Sequence, residues 1–534
     1  MKRFVLPALA LFLVFVMASC AKSPAEADAT KADPTANAPA ANSPAANSPA
    51  ADEPKSESPA SQDEIYEVIM QFPTLGSTPQ DLQLVEDALN KRTEPEIGVH
   101  VTFLPVSAFE VNSVTNLMIS TGEKLDLMIS LFESGGVSGY VNKGVLLELD
   151  ELVEKYGQDI VAAEGIAMSG GYVNGKLYAV PAEEKMARVK GFLTRKDVLE
   201  RNGISIDPNK IYSLEEVTEI FGKVKEGEGE GFYCLAVNGT YDMYSFTGDY
   251  LGAGIGSGVL PNYGVGSTNI INVFESEEYA ESLDIVRDWY LKGYLAPDCN
   301  TITDSALAQF QAGNFFGVFS NCEPDMISGW TGTARAALGT DVVPIYTTAP
   351  MAVTQNYQTT VWGLPITCEN PVKTMQWLNL LYKDQEIINL IHEGVEGVHW
   401  QFVEGSDIVI EYPEGVDGSN VTYSAILNVW GDKSKDYVRP PSDETYPEVL
   451  KAFNQSVTPE HTSIALGYCF NVDNVKTEYA SVNDVLSEYS GSLGLGVVDP
   501  KNVLPEFQAA LKAAGVDKLI AENQKQFDAW LASK

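Results

Sequence analysis

The chain has 534 residues, more than one compact core accommodates, so two or more domains are expected. Its formal net charge of -38, from 35 basic and 73 acidic side chains, disfavours binding to nucleic acid or to anionic lipid head groups. A hydrophobic fraction of 45% is ample for globular packing.

The first 20 residues have the pattern of a secretory signal. The dipeptide Lys2-Arg3 is positively charged, residues 4–17 are apolar, and an Ala-Ser-Cys tripeptide ends at Cys20. This resembles a bacterial lipobox, in which Cys20 is lipidated, for example with palmitate, and becomes the mature N-terminus. No other apolar run approaches the ~20 residues that span a bilayer. We expect a lipid-anchored protein outside the cell membrane or in the periplasm, with a plain cleaved signal as the alternative.

Residues 21–62 are of low complexity, built mainly on Ala, Pro, Asn, Ser and Glu. They offer almost no apolar side chains to bury, so a disordered linker is expected. Its role would be to hold the folded part away from the membrane.

Strand and helix patterns alternate after the linker. They predict, in chain order, a strand over 65–72, a helix beginning at Thr78, a strand over 99–103, a helix over 109–120 and a strand over 125–132. The helix start rests on Thr78 as N-cap with Pro79 at the first helical position. This alternation is typical of a parallel sheet covered by helices, where ligands bind beyond the carboxyl ends of the strands. The candidate ligand residues near those ends are Phe72, Thr74, Phe132 and Glu133.

The stretch 171–199 resembles a crossing between two folded units. A turn at Asn174-Gly175 precedes the run Leu-Tyr-Ala-Val-Pro, which ends at Pro181, and a second apolar run leads into a helix start at Arg195. This order resembles the first interlobe crossing of extracellular solute-binding lipoproteins of sugar-type ABC importers, the LplA-like type. The resemblance implies an α/β, class II periplasmic-binding-protein-like fold: two lobes of mixed sheets flanked by helices, joined by a hinge, with ligand held between them. The alternative is a hairpin and helix inside one domain.

Later segments resemble the same family. A capping box opens a helix at Ser213, the segment 306–319 reads as helix, turn and strand, and the run 360–366 resembles the return into the first lobe. The stretch 463–534 resembles the C-terminal domain of unknown function found on such lipoproteins. The expected division is 1–20 signal peptide, 21–62 linker, 63–182 first segment of lobe 1, 183–350 lobe 2, 351–430 return segment of lobe 1, and 431–534 a C-terminal helical segment packing on lobe 2.

Sequence motifs of several enzyme classes are absent. The chain has no Walker A loop, strict G-x-G-x-x-G, G-x-S-x-G or H-E-x-x-H motif. His392 and His399 could be drawn as metal ligands, but glycines interrupt any helix between them, so we expect neither metal nor cofactor. Two carboxylates in a cleft could form a glycosidase pair, yet nothing singles out a pair. The cysteines other than Cys20 show no paired spacing and are expected to be buried thiols.

An oligosaccharide site needs flat apolar rings and polar groups for hydroxyls. The remaining candidate ligand residues are Glu183, Tyr241, Tyr244, Asn321, Trp330, Trp362, Glu396 and Trp400. We therefore expect a monomeric, non-enzymatic binding protein that delivers a carbohydrate to ABC permease subunits. Peptides or polyamines remain open as ligands, and a surface glycoside hydrolase or a non-transport adhesin as alternative functions.

Overall fold

The structure is a computed structural model that describes residues 65–131, 136–173, 175–182, 187–237, 247–252, 254–358, 360–425, 427 and 429–534. The strands are β1 (Tyr66–Thr74), β2 (Val99–Ser107), β3 (Met128–Leu131), β4 (Tyr172–Val173), β5 (Lys176–Leu177), β6 (Val180–Pro181), β7 (Lys190–Arg195), β8 (Tyr233–Ala236), β9 (Gly248–Asp249), β10 (Leu260–Pro261), β11 (Phe315–Asn321), β12 (Val342–Tyr346), β13 (Thr360–Gly363), β14 (Gln401–Phe402) and β15 (Ile410–Glu411). The helices are α1 (Leu82–Ile97), α2 (Val111–Thr121), α3 (Gly136–Asn142), α4 (Asp150–Tyr156), α5 (Gln158–Glu164), α6 (Lys196–Arg201), α7 (Leu214–Glu228), α8 (Glu277–Leu291), α9 (Ala306–Gln311), α10 (Pro324–Leu338), α11 (Gln355–Gln358), α12 (Pro371–Lys383), α13 (Gln385–Glu393), α14 (Tyr446–Asn454), α15 (Lys476–Gly494), α16 (Pro500–Ala514) and α17 (Val516–Ala532).

The first lobe is built on two short sheets that meet side by side. β1 and β2 pair in parallel along their whole length, and β13 pairs antiparallel with both β3 and β6. A parallel bridge between Met70 and Leu127 joins the two sheets. Strands from residues 66–181 therefore share a layer with β13, which lies about 180 residues further along the chain from β6.

Tryptophan side chains fill the centre of the first lobe. Trp362, Trp377 and Trp430 are fully buried in one apolar cluster. Trp362 Nε1 donates to the Val429 carbonyl at 2.7 Å, and Trp430 stacks on Phe72 with ring centroids 5.0 Å apart. These rings are part of the apolar core that packs against β1 and β13.

The second lobe has a mixed sheet in the order β12, β7, β11, β8. β7 runs antiparallel to both β11 and β12, whereas β8 runs parallel to β11. Its core is aromatic: Phe192 packs against Phe221 and Phe319 at centroid distances of 5.0 and 4.9 Å. Trp289 stacks on Phe319 and donates its indole N–H to Thr218 Oγ1 at 2.6 Å.

The C-terminal helices α15 to α17 pack on residues 251–283 of the second lobe, and a separate apolar cluster joins the two regions. Gly256 lies so close to α15 that a Cβ there would come within 2.8 Å of Leu486. The buried Asn523 of α17 donates to the Ser257 carbonyl at 2.8 Å. These contacts fix the helices to the second lobe.

Several predicted element boundaries can be compared with the structure. The capping box at Ser213 is present in full at the start of α7. The predicted start at Thr78 is wrong, because α1 begins at Leu82 after Asp81. The Asp81 carboxylate accepts hydrogen bonds from the Thr422 hydroxyl at 2.5 Å and pairs with His399 at 3.2 Å, which ties the helix start to a later loop.

Two further predictions concern cysteines and membrane spans. All five cysteines of the described chain are free thiols, and four of them are buried, as expected. Among the described residues, no helix combines the length and apolar character needed to cross a membrane.

Candidate functional site

One edge of the first lobe faces the second lobe. β1, β2, β3 and β6 all run towards this edge, and β13 starts there opposite the end of β3. From the same edge the chain leaves for the second lobe: Ala182 follows β6 and donates its N–H to the Thr360 carbonyl at 3.0 Å. The carboxyl ends of the strands thus form the wall of the first lobe on the interlobe side. In open parallel sheets this is where ligands bind.

The second lobe presents a matching edge. β7 enters from the first lobe at Lys190, which lies opposite Asn321 at the end of β11. β12 ends at Tyr346, opposite Gly191 of β7. Asn321 and Tyr346 are half-buried, so both offer polar groups at the interlobe side of this sheet.

Three chain segments connect the lobes and lie side by side. The first crosses after Ala182, and the second lies between β12 and β13. They pair at Arg188 and Met351 through two backbone hydrogen bonds of 2.9 and 2.8 Å. The third pairs with the second, because Ala352 bonds the backbone of residues 461 and 463 at 3.0 and 2.8 Å. Short paired connectors between two separately packed cores are the arrangement of a hinge.

Buried polar contacts attach these connectors to the second lobe. The fully buried Asp249 accepts from the N–H and the hydroxyl of Thr354 at 2.9 and 2.6 Å, and from the Leu251 N–H at 2.9 Å. Arg188 of the first connector lies 3.8 Å from the fully buried carboxylate of Glu323. The connectors therefore have fixed anchor points on one lobe.

Two cavities border these regions. One of about 290 Å³ lies at the edge of the second lobe and is lined by Tyr346, the start of α10 and residues 441–446. The other, of about 720 Å³, lies between residues 165–175 of the first lobe and the C-terminal residues Leu466, Trp530 and Lys534. Both have the size of small-molecule pockets or a large part of one.

The structure places the predicted ligand residues in three groups. Phe72, Trp362 and Trp400 are buried side chains, and the last two use their indole N–H groups on the carbonyls of Val429 and Gly394. These three are therefore core residues, contrary to the prediction that they face a ligand. Phe72 lies within β1 and Trp362 within β13, and both side chains belong to the apolar cluster of the first lobe. Trp400 directly precedes β14 and packs against Phe402 and Tyr437.

Other predicted residues have accessible surface. Asn321 lies at the edge of the second lobe, whereas Thr74, which ends β1 at the edge of the first, is buried. Trp330 is half-buried on α10, where it makes an edge contact with Phe310 at 5.2 Å. Glu396 is exposed in the loop after α13. Five predicted residues lie outside the described part of the chain: Phe132, Glu133, Glu183, Tyr241 and Tyr244.

The two histidines have separate partners. His392 Nδ1 pairs with Asp436 at 2.8 Å, whereas His399 Nδ1 accepts from the Val395 N–H at 2.9 Å and its Nε2 faces Asp81. The Thr422 hydroxyl and then His399 hold the pKa of the Asp81 carboxyl below its usual range. Within the described ranges, no cluster of His, Cys, Asp and Glu side chains has metal-site geometry.

Sequence reasoning missed Phe109. Its side chain is 86% exposed in the turn between β2 and α2, at the interlobe edge of the first lobe. The sequence pattern placed it inside a helix over 109–120, but α2 begins only at Val111. An aromatic residue two positions after the end of a strand was the available signal.

Two lobes with facing sheet edges, joined by three paired connectors, define a hinged two-lobed binding protein. The family described as bacterial extracellular solute-binding protein matches residues 87–393, and a domain of unknown function, DUF3502, matches residues 464–532. The chain belongs to this solute-binding family. Its members bind rather than transform their ligands, which confirms the prediction that the chain is not an enzyme and removes the hydrolase alternative. An extracellular or periplasmic location follows from the same membership.

Individual relatives support the same fold. A carbohydrate ABC transporter substrate-binding protein of Streptococcus pneumoniae serotype 4 is 24% identical over 471 residues, covering 87% of this chain and 91% of that protein. A crystal structure of the N-glycan transport solute-binding protein NgtS from Streptococcus pneumoniae matches with a TM-score of 0.74 and 25% identity, covering 88% of this chain and 99% of the other. The structure of NgtS in complex with Man5GlcNAc matches with a TM-score of 0.62 and the same identity and coverage. The two-lobed α/β fold predicted from the sequence is confirmed.

Proposed function

We propose that the protein captures an oligosaccharide between its lobes and delivers it to an ABC permease. The observation that carries this proposal is the pair of strand-end edges that face each other across the hinge. A ligand held there contacts both lobes at once, so its binding free energy favours the closed arrangement.

The ligand class is inferred from the relatives together with the site. NgtS, which is similar over 88% of this chain, has been seen with the glycan Man5GlcNAc. The interlobe edges offer what a neutral sugar needs: half-buried polar side chains such as Asn321 and Tyr346, and the exposed ring of Phe109. A glycan of several sugar units would be long enough to contact several strand ends of both lobes.

The mechanism follows from the hinge. This chain is more similar to the first NgtS structure than to the complex of NgtS with Man5GlcNAc, with TM-scores of 0.74 and 0.62. We take the present conformation as the open one. Closure would turn the lobes about the connectors near Arg188, Met351 and Thr462, and the closed form would be recognised by the permease.

Beyond the cleft, the proposal includes a lipid anchor and a single-chain state. Lipidation at Cys20 and a spacer over residues 21–62 would keep the binding lobes close to the permease without fixing their orientation. The division into lobes stays as proposed from the sequence: 63–182 and 351–430 for the first lobe, 183–350 for the second, and 431–534 as the C-terminal part.

The ligand contacts themselves are proposals. Among described residues we assign them to Thr74, Asn321, Trp330 and Glu396. To these we add the predicted residues outside the described ranges: Phe132, Glu133, Glu183, Tyr241 and Tyr244.

Thermal unfolding of the full chain against a panel of glycans tests the ligand class. The panel holds Man5GlcNAc, shorter mannose-containing fragments, unrelated neutral oligosaccharides, a peptide and a polyamine. Ligand at about 100 times its dissociation constant adds about 2.7 kcal/mol to the folded state, which raises the melting temperature by several degrees. A selective rise with one glycan, recovered unchanged, is expected. A rise only with the peptide or polyamine would overturn the carbohydrate assignment.

The anchor has its own test. Cells that produce the wild-type chain should carry it in the membrane fraction, and Cys20→Ala should release it into the soluble fraction. Membrane association that survives this substitution would contradict lipidation at Cys20.

A further inference from the structure

The side chain of Phe109 is much more exposed than is usual for a large apolar residue. Of the large apolar side chains in the part of the chain that the structure describes, none is more exposed than its 86%. A phenylalanine ring left in water forgoes the favourable free energy of burial. A partner that covers the ring recovers that free energy.

The backbone on both sides of Phe109 is fixed. The N–H of Ala108 donates to the Thr74 carbonyl at 2.9 Å, which joins the turn to the end of β1. The N–H groups of Phe109 and Glu110 bond the hydroxyl and carbonyl of Ser107 at 3.3 and 2.9 Å. Ala108 and Val111, on either side, are buried. With these neighbours held in the core, the ring of Phe109 points away from it.

The direction in which the turn projects is set by the sheet. β2 ends at Ser107, beside the end of β1, and the chain leaves for the second lobe from the same edge. Leu75, in the adjoining turn after β1, is also exposed, at 41%. The hydrogen bond between Ala108 and Thr74 links these two turns. The interlobe edge of the first lobe therefore carries an aromatic ring with an aliphatic neighbour.

We propose that Phe109 is the stacking platform of the first lobe: it contacts the apolar C–H face of one sugar ring of the bound glycan. This inference rests on the proposed function and names a residue that would determine ligand preference at that site. A flat ring matches the flat face of a pyranose, and polar residues of the second lobe such as Asn321 remain for the hydroxyls. The pre-fixed backbone means that little conformational entropy is lost when the sugar stacks.

The experiment compares Phe109→Ala, Phe109→Tyr and the control Leu117→Ala in the full chain, by calorimetric titration with the glycan that stabilises the wild type. Leu117 is 63% exposed on α2, about 9 Å along the helix from its start, so it controls for loss of an exposed apolar side chain away from the edge. Because the Phe109 ring is exposed, Phe109→Ala should leave the melting temperature without ligand unchanged.

Phe109→Ala is expected to weaken glycan binding about tenfold or more, whereas Phe109→Tyr and Leu117→Ala bind like the wild type. Equal affinity of Phe109→Ala and wild type overturns the inference but leaves the proposed function intact. If that variant binds normally and yet supports less glycan uptake, the ring contacts the permease instead, which also overturns the inference. If the wild type binds no glycan of the panel, the proposed function fails first, and that result is separate from any effect of the substitution.

Discussion

The contact between Asp249 and Thr354 joins the second connector to the second lobe, and its loss should destabilise the protein measurably. Thr354→Val removes the hydroxyl that donates to Asp249 Oδ1 at 2.6 Å but keeps the shape of the side chain. Both residues are buried, and a hydrogen bond to a charged group contributes about 1.5–3 kcal/mol. We expect a loss of that size in the free energy of unfolding, measured by urea titration of the full chain.

Two control variants make the result specific. Thr354→Ser keeps the hydroxyl and should lose less stability than Thr354→Val. Thr121→Val removes an exposed hydroxyl that bonds the Leu117 carbonyl at 3.0 Å, and should change stability by no more than about 0.5 kcal/mol. If Thr354→Val unfolds at the same urea concentration as Thr121→Val, the reasoning that this bond anchors the connector is refuted.

Three other predictions follow from the same structure. Trp362→Phe should lower the free energy of unfolding by roughly 1–3 kcal/mol, because it leaves the buried Val429 carbonyl without its donor. Glycan affinity, measured by calorimetry, should stay unchanged. A large loss of affinity at full stability would show that Trp362 faces the ligand after all. Burial alone would raise the pKa of Asp197, but Arg195 and then Arg201 lower it to about 2. In acid unfolding, the extra stability of wild type over Asp197→Asn should therefore be complete above about pH 4 and vanish as the pH falls towards 2. A difference in stability that does not depend on pH would contradict this. Cys234 and Cys299 should react slowly with thiol reagents until the chain unfolds, because burial raises the pKa of Cys234 to about 12 and of Cys299 to about 11. Rapid labelling of either thiol in the native chain would contradict this.

The sequence was most informative where a pattern is local. The capping box at Ser213 depends on two residues three positions apart, and it is present as predicted. The succession of strand, helix and strand after residue 65 likewise follows from short-range periodicity. The two-lobed α/β fold was implied by the resemblance of the stretch 171–199 to solute-binding lipoproteins, and the comparisons confirm it.

Positions that depend on distant parts of the chain were less predictable. Thr78 is a residue type favoured at N-caps, yet it is Asp81 that precedes the helix. The Asp81 carboxylate is held there by contacts with Thr422 and His399, more than 300 residues away in sequence. The prediction that the Trp362 side chain faces the ligand failed for the same reason, because its position also depends on distant parts of the chain. The pairing of β13 with strands from the first part of the chain turns that indole towards Val429 in the core.

Phe109 shows that the exposure of a single side chain is also hard to predict from sequence. An apolar residue near an amphipathic segment is normally assigned to the core, and only the start of α2 at Val111 places the ring outside it. Exposure of a single side chain depends on where a helix begins, and helix ends are the least certain part of a sequence-based prediction. The contacts that a ligand would make were therefore beyond the reach of sequence patterns.

A distance measurement between the lobes tests hinge closure most directly. Spin labels at Leu117→Cys on α2 and Leu291→Cys on α8 would report on the first and second lobe, since both side chains are exposed and four of the five native cysteines of the described chain are buried. Glycan at saturation should shift the distance distribution to one shorter, narrower population. An unchanged distribution, under conditions where calorimetry shows the glycan bound, would contradict capture by closure of the two lobes.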